Sequence, residues 1–428
     1  MEKNDETDEE TGGFLALHRT LNMADMPFYW LHRTLGVLEV DDHETDHVSC
    51  RQEIESLSRQ LLEIKRRLNP AAEACAASVN RRQGRSEEVT TPGYEFVEAR
   101  NETNPFEILG QKRNNGLTKR FINRSAIKLA NIDAIMEFRL VQPTASNEPF
   151  VFVDLCGAPG GFSEYIMLRC CDYGTPFVYG YGMSLMGSNE HGQGFDWKLS
   201  NHVSKVHATT CQYSVCQGQD GTGDIYKWEN VLNLKETMQK HGNPKAHLIV
   251  ADGGFDAQRE SEEQEALSQK LLICEVTATL SCLREGGTMI LKMFGGQTSL
   301  IRSMMVEIHK VFYSLQLTKP ISSRPASAER YLIATGFQGM HPLWNPHEWR
   351  DSLFLGRGLD TNETVTKQVS SFLDLFDNQA LHLNATACFS ILSYLETKQR
   401  DTEKDRLLLS SEERYEVPVE RYRRAWRL

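Results

Sequence analysis

Between residues 93 and 338 the chain alternates short apolar runs with stretches of helical periodicity, and this alternation limits the fold more than any other feature. Residues 150–155, 177–182, 247–251, 288–292 and 331–335 are apolar and bounded by turn residues, which predicts strands. Residues 161–170, 262–284 and 299–313 predict helices between them. Strand, helix, strand in succession gives an α/β fold: a mainly parallel, doubly wound sheet with helices on both faces. In such sheets the site lies at the carboxyl ends of the strands. A chain of 428 residues has room for this domain and for extensions on either side.

The expected divisions are 1–92, 93–338 and 339–428. The opening MEKNDETDEETG is polar and acidic and predicts disorder. LHRTL occurs at 17–21 and again at 31–35. With Pro27 between the copies and no third, it reads as coincidence or a short docking segment, not a repeat architecture. Cys50, Ile54, Leu57, Leu61, Ile64 and Leu68 step by four and three, a single-striped helix ended by Asn69 and Pro70. It is too short for a coiled coil and is expected to pack on its own domain, with 69–92 a linker. Beyond 339, two helices are expected at 363–376 and 385–398, giving a helical carboxyl-terminal tail, and ERYRRAWRL at the end reads as a frayed charged terminus.

No apolar run approaches 18 residues and no charged-then-apolar signal opens the chain, so neither secretion nor a membrane span is expected. Ten cysteines without a CxxC pair read as reduced thiols, not as a disulfide framework or zinc site. The net charge of -11 is concentrated at one end: residues 1–50 hold twelve acids against three Lys and Arg. Elsewhere Lys112, Arg113, Lys119, Arg120, Arg124 and Lys128 form a basic stretch without an acid. Such a stretch can neutralise phosphates even on an acidic protein, or be no more than a solvated face.

In FVDLCGAPGGFSEY (152–165), Asp154 ends a strand, and Gly157, Gly160 and Gly161 let backbone approach a ligand where a helix begins. The loop is neither the GxGxxG of dinucleotide binders nor a P-loop. A ligand with a carboxylate, an amine and a nucleoside suits it, S-adenosylmethionine among them, and another nucleotide stays open. Elsewhere LIVADGGF puts Asp252 after a strand, TMILKMF puts Lys292 at the end of one, KPISSRPASAERY puts Glu329 just before one, and NRSAIKLANID puts Lys128 on an upstream helix. Singly these read as snorkelling lysines, a cap and half of a surface ion pair. Charges gathered at the ligand edge of a sheet are more often functional.

The set Lys128, Asp252, Lys292 and Glu329, with LCGAPGGF, resembles the Lys-Asp-Lys-Glu tetrad of the FtsJ-like (RrmJ-type) ribose 2'-O-methyltransferases. Within that superfamily NPFEIL, FINRSAIKLANID, VDLCGAPGGFSEY, GYGMSL, ADGGF and KPISSRPASAERY resemble the eukaryotic cap-specific mRNA enzymes that act on the first transcribed nucleotide. The loop reads CGAPGG where vertebrate relatives have the middle pair in the other order, which leaves its glycines and proline in place. The glycine-rich patch, guanylyltransferase-like and WW modules of those relatives are not recognisable, so recruitment to RNA polymerase II is not carried over.

The resemblance implies a Rossmann-like S-adenosylmethionine-dependent methyltransferase fold, a metal-free transfer of methyl to a ribose 2'-oxygen of capped mRNA, and a nuclear location. It implies Lys292 as the base, with Lys128, Asp252 and Glu329 orienting it and the hydroxyl. Burial and Lys128 would push the Lys292 pKa down and the two acids up, and sequence leaves the outcome open. The cofactor is expected along Asp154, Cys156, Gly157, Ala158, Pro159, Gly160, Gly161 and Phe162, with Asn123 near its methionine end and Asp224 and Ile225 near its adenosine. Capped RNA is expected at Arg100, Glu262, Glu263, Gln264 and Ser327. The alternatives are another RNA substrate (rRNA, tRNA or a later cap nucleotide) or a catalytically silent RNA-binding scaffold.

Overall fold

The computed structural model describes residues 29–35, 47–81, 94–112, 116–141, 148–186, 196–199, 202–206, 209–254, 261–355, 363–400 and 419–428. In chain order they form β1 (Tyr29–Leu35), α1 (His47–Arg81), α2 (Tyr94–Thr103), α3 (Ser125–Ile135), β2 (Phe150–Leu155), α4 (Gly161–Asp172), β3 (Phe177–Met183), β4 (His202–Val206) and β5 (Thr209–Val215). Then come α5 (Trp228–Lys240), β6 (Ala246–Ala251), α6 (Ser261–Cys282), β7 (Leu283–Met293), α7 (Ser299–Val311), β8 (Phe312–Pro320), β9 (Arg330–Phe337), α8 (Pro346–Phe354), α9 (Glu363–Arg400) and α10 (Val419–Ala425).

All nine described strands make one sheet, in the order β1-β8-β9-β7-β6-β2-β3-β5-β4. From β7 to β5 the neighbours are parallel; β9, β8, β1 and β4 join antiparallel. The chain leaves β2 towards β3 and β5, then returns to lay β6 on the other side of β2. This reversal opens a crevice above the carboxyl ends of β2 and β6, where doubly wound sheets bind ligands.

Every residue of β2 is buried, as a strand covered on both faces requires. One face packs Val231 and Leu234 of α5, Val276 of α6, Met304 of α7 and Phe376 of α9. The other packs Ile127 of α3, Phe162 and Ile166 of α4, and Trp426 beyond α10. Completely burying such a side chain contributes roughly 1.5–3 kcal/mol, so the sheet flanked by both helical layers is the core.

The flanks depart from the sequence reading. The second LHRTL copy lies in β1, paired with β8, with Leu31 and Leu35 against the core; the first copy lies outside the described residues. Helix α1 runs on through Pro70, past its expected end. Pro70 and Arg66 are both exposed, so the carbonyl that Pro70 leaves unbonded is open to water.

The two expected tail helices are one, α9. Polar residues between the expected segments face inward: Asp377 pairs with Arg330, and Asn384 donates to the Pro325 carbonyl. Leu61 and Leu68 of α1, Ala99 of α2, and Cys388, Ile391, Leu392 and Leu395 of α9 share one cluster, so both extensions meet beside the sheet.

The last residues are not frayed either. Tyr422 and Trp426 are buried, and Arg169, itself buried, donates to the carbonyls of Trp426 (2.7 Å) and Arg427 (3.2 Å).

Candidate active site

Asp154, next to last in β2, is fully buried, and its Oδ2 accepts from the backbone N–H (3.2 Å) and hydroxyl (2.6 Å) of Ser163, in the first turn of α4. Burial pushes its pKa up to about 7; the Ser163 bonds work against that and the nearby Asp252 adds to it. Oδ1 has no hydrogen-bond partner. The glycines of the loop are held by closeness on both sides. A Cβ on Gly157 would stand 1.9 Å from Asp154 Oδ1, and one on Gly161 2.0 Å from Asn123 Oδ1. Gly160, at φ 107°, precedes the first residue of α4, a conformation that side-chain-bearing residues rarely adopt. The result is bare backbone at the start of a helix, with Asn123 tucked against it.

Asp224 and Ile225 reach the same edge from the far side. The Asp224 carboxylate accepts from the Tyr226 N–H at 2.9 Å, and Ile225 is buried. Gly223 packs so tightly on Ser184, just past β3, that a Cβ would be 1.9 Å from the Ser184 carbonyl oxygen. The loop before α5 therefore sits over the end of β3, next to the glycine loop.

The four charged residues come from four different elements and converge. Lys128 on α3 donates to Glu329 at 2.7 Å, and Lys292 near the end of β7 donates to the Asp252 carbonyl at 2.6 Å with its carboxylate oxygen at 3.3 Å. These side chains are only 10–13% exposed, which is enough to face the crevice and too little for solvent to screen them. The Asp252 carboxylate also accepts from Ser125 (3.0 Å) and Tyr331 (2.9 Å), and Glu329 accepts from Ser323 (2.9 Å). Burial disfavours the charge on Lys292, but Asp252 and Glu329, with Glu275 behind them, outweigh it and leave the pKa raised. For Glu329 burial is likewise outweighed, by Lys128 and Lys292, and its carboxyl is held well below the usual range. Carboxylates thus win the contest over Lys292 that the sequence left open.

The segment 320–329, which delivers Glu329, is fixed from two directions. Lys319, fully buried, donates to the carbonyls of Ser327 (2.6 Å) and Glu329 (2.7 Å); burial brings its pKa down to about 7 against the pull of Glu329. On the other side Glu107, from NPFEIL, accepts from Arg124 (2.8 Å) and Arg324 (2.8 Å), and Arg124 also donates to the Ser322 carbonyl (2.9 Å). NPFEIL is therefore a brace for the loop that carries part of the tetrad.

Of the residues expected to meet RNA, Ser327 stands at the tetrad, its hydroxyl accepting from the Glu329 N–H at 3.0 Å. Arg100 lies on α2 beside Glu107, over the Phe96 ring. Glu262, Glu263 and Gln264 fall in the first turn of α6; their side chains lie outside the described residues. The basic stretch is not one surface: Lys119 and Arg120 are exposed, whereas Arg124 and Lys128 are spent on Glu107 and Glu329. The described cysteines are free thiols.

Sequence reasoning missed Ser125, Tyr331, Ser323, Lys319 and Glu275. Two had a legible signal: Ser125 is one helical turn before Lys128, and Tyr331 two residues after Glu329 on an extended segment. The others become neighbours of the site only through tertiary packing.

The FtsJ-like methyltransferase family matches residues 121–337. Cap-specific mRNA (nucleoside-2'-O-)-methyltransferase 1 of Homo sapiens is 34% identical over 257 residues, 58% of this chain and 29% of that protein. Its counterpart in Drosophila melanogaster is 32% identical over 243 residues, 55% of this chain and 28% of that protein. Among solved structures, a ribosomal RNA methyltransferase of Plasmodium falciparum is 21% identical with a TM-score of 0.34, covering 51% of this chain and 99% of that one, a likeness too loose to argue from. The chain spans less than a third of the length of the curated relatives it matches. The family match runs from Phe121, just ahead of the Lys128 helix, to Phe337, which closes the last strand, about half of the residues, and the chain belongs to the FtsJ-like methyltransferase family.

Proposed function

We propose that this chain transfers a methyl group from S-adenosylmethionine to the ribose 2'-oxygen of the first transcribed nucleotide of capped mRNA, in the nucleus where such transcripts arise. The observation that carries the reading is the convergence of Lys128, Asp252, Lys292 and Glu329 on one crevice, beside a loop whose backbone is bare. The residues present suit the cofactor. Gly157 and Gly161 leave a cradle that a Cβ would fill, and the start of α4 offers N–H groups and a positive dipole end to a carboxylate. Asn123 flanks that end, while Asp224 and Ile225 offer an acceptor and an apolar wall to a nucleoside. When bound, the cofactor supplies a methyl group on a positively charged sulfur.

The chain's own residues align and deprotonate the attacking hydroxyl. Lys292 holds its proton in the free site, so Nζ first donates a hydrogen bond that fixes the hydroxyl oxygen. Asp252 clamps Lys292, and is itself clamped by Ser125 and Tyr331, so the ammonium has one position to occupy. Lys128, anchored by Glu329, stands as a second N–H donor that holds the hydroxyl oxygen in line with the methyl group. Lys292, whose side chain is 10% exposed, first gives its own proton to solvent at the crevice, and the hydroxyl proton then leaves late, once bond formation has acidified it, and passes to the neutral amine. Ser327, joined to Glu329, is assigned to an adjoining nucleotide by its position in the family pattern. Arg100 suits a phosphate, and Glu262, Glu263 and Gln264 are assigned to the capped end by family position alone.

Transfer of labelled methyl to matched capped and uncapped oligoribonucleotides, followed by nuclease mapping, tests the reading. Label on the first ribose of the capped RNA alone is the expected result. Label on other positions or on uncapped RNA moves the substrate to another RNA class, and no label on any RNA leaves a binding scaffold.

A further inference from the structure

Glu275, on α6, is fully buried beneath the crevice, and neither carboxyl oxygen has a hydrogen bond of normal geometry. Oε1 is 2.1 Å from where a Cβ on Gly253 would stand, and Cys156 Cβ is 3.1 Å from the same point. The carboxyl thus occupies the floor between the glycine loop and the turn after Asp252. Cys156 and Asp154 face this region from β2 and its loop, Asp252 from the end of β6, Lys292 from β7, Tyr226 from the loop before α5, and Cys274 from the same helix. Lys292 spends its hydrogen bond on Asp252. An acid so placed, with only the Cys156 thiol and the Gly253 N–H as nearby donors and neither well aligned, strongly disfavours ionisation.

We propose that Glu275 is a positioning residue for methyl transfer that works as an un-ionised acid: with its proton it leaves Lys292 facing two carboxylates, and without it a third negative charge lies beneath Lys292 and tightens that lysine's hold on its own proton. The proposal rests on the methyl-transfer reading above. Burial is the leading cause that lifts the Glu275 pKa to about 8; the Cys156 thiol, Lys292 and the Gly253 N–H work against it, and Asp252 adds to it. The acid is raised in the folded state relative to the unfolded chain. Between the two pKa values the folded protein therefore keeps a proton that the unfolded chain has released, and stability falls as pH rises through that window, levelling off above about 8.

The first test needs neither cofactor nor RNA. In denaturant unfolding of the full chain, the midpoint of Glu275→Gln is expected to gain on the wild type steadily from pH 5 to pH 8, because the amide has no proton to lose. A gap between the two that does not change over this range overturns the proposal. The second test compares methyl transfer at pH 7 and pH 9.5. Loss of the Glu275 proton makes Lys292 harder to deprotonate, so the ratio of Glu275→Gln rate to wild-type rate is expected to rise on the order of tenfold. A pH-dependent stability gap with a flat rate ratio would show a buried acid with no influence on Lys292, which refutes the positioning role. Absence of methyl transfer by the wild type would remove the underlying reading, and the positioning role with it, while the stability comparison still reports the proton. If Glu275→Gln does not fold, Glu275→Met also deletes the charge at similar size; failure of both at every pH refutes the proposal, since it requires a neutral side chain to be tolerated there.

Discussion

Replacing Glu107 with Gln puts the brace between NPFEIL and the tetrad loop under direct test. Burial alone would raise the Glu107 pKa, yet Arg124, Arg324 and Arg100 bring it down to about 2 from an ordinary 4.5. The sign follows from linkage: an acid depressed by folding contributes stability that is present above its unfolded pKa and is lost as pH falls towards its folded one. The difference of roughly 2.5 units corresponds to about 3 kcal/mol at neutral pH, nearer 2 after allowing for solvent screening at Arg324, which is 37% exposed. By pH 3, where the unfolded chain has taken up the proton and the folded state has not, the same linkage leaves about 1 kcal/mol. Urea unfolding of wild type and Glu107→Gln at pH 7 and pH 3 measures both figures. Methyl transfer is expected to fall with the stability, because Arg124 also holds the Ser322 carbonyl in the loop leading to Glu329. An equal loss at the two pH values, or a loss below about 0.5 kcal/mol at pH 7, would refute the reasoning that charge on Glu107 fixes this loop.

Lys292→Met is expected to lower methyl transfer by roughly 10²–10⁴-fold while calorimetric affinity for S-adenosylmethionine stays within a few-fold; full activity would remove Lys292 from the mechanism. Gly157→Ala puts a methyl group 1.9 Å from Asp154 Oδ1, so cofactor binding measured by the same calorimetry should be lost, and unchanged affinity would disprove the cradle. Trp426→Ala empties a completely buried site and is expected to cost about 3–5 kcal/mol in denaturant unfolding. A cost near zero would restore the reading of a loose terminus.

The sequence was enough for the parallel core and for the charged residues gathered at its edge. Strands buried on both faces must be short, apolar and separated by helices, and that pattern is local, so β2, β3, β6, β7 and β9 were legible. Asp252 and Lys292 were legible because charges do not belong at the ends of such strands without a use, and Lys128 and Glu329 because the family tetrad they resemble pointed to them. The edges of the sheet were not. β1, β4, β5 and β8 carry mixed side chains, since a strand with a partner on one side or a half-solvated face needs no continuous apolar run.

Only the tertiary structure decided where polar side chains find partners. Asp377 and Asn384 fall between the two expected helices, and Arg330 and the Pro325 carbonyl stand opposite them. ERYRRAWRL looks like a free end until Arg169 meets its carbonyls. Lys292 keeps its proton because Asp252 and Glu329, from distant parts of the chain, outweigh its burial, and Glu275 keeps its own because burial under Gly253 outweighs the thiol and N–H donors beside it. Protonation depends on distance and on exclusion of water, and neither is written in residue order.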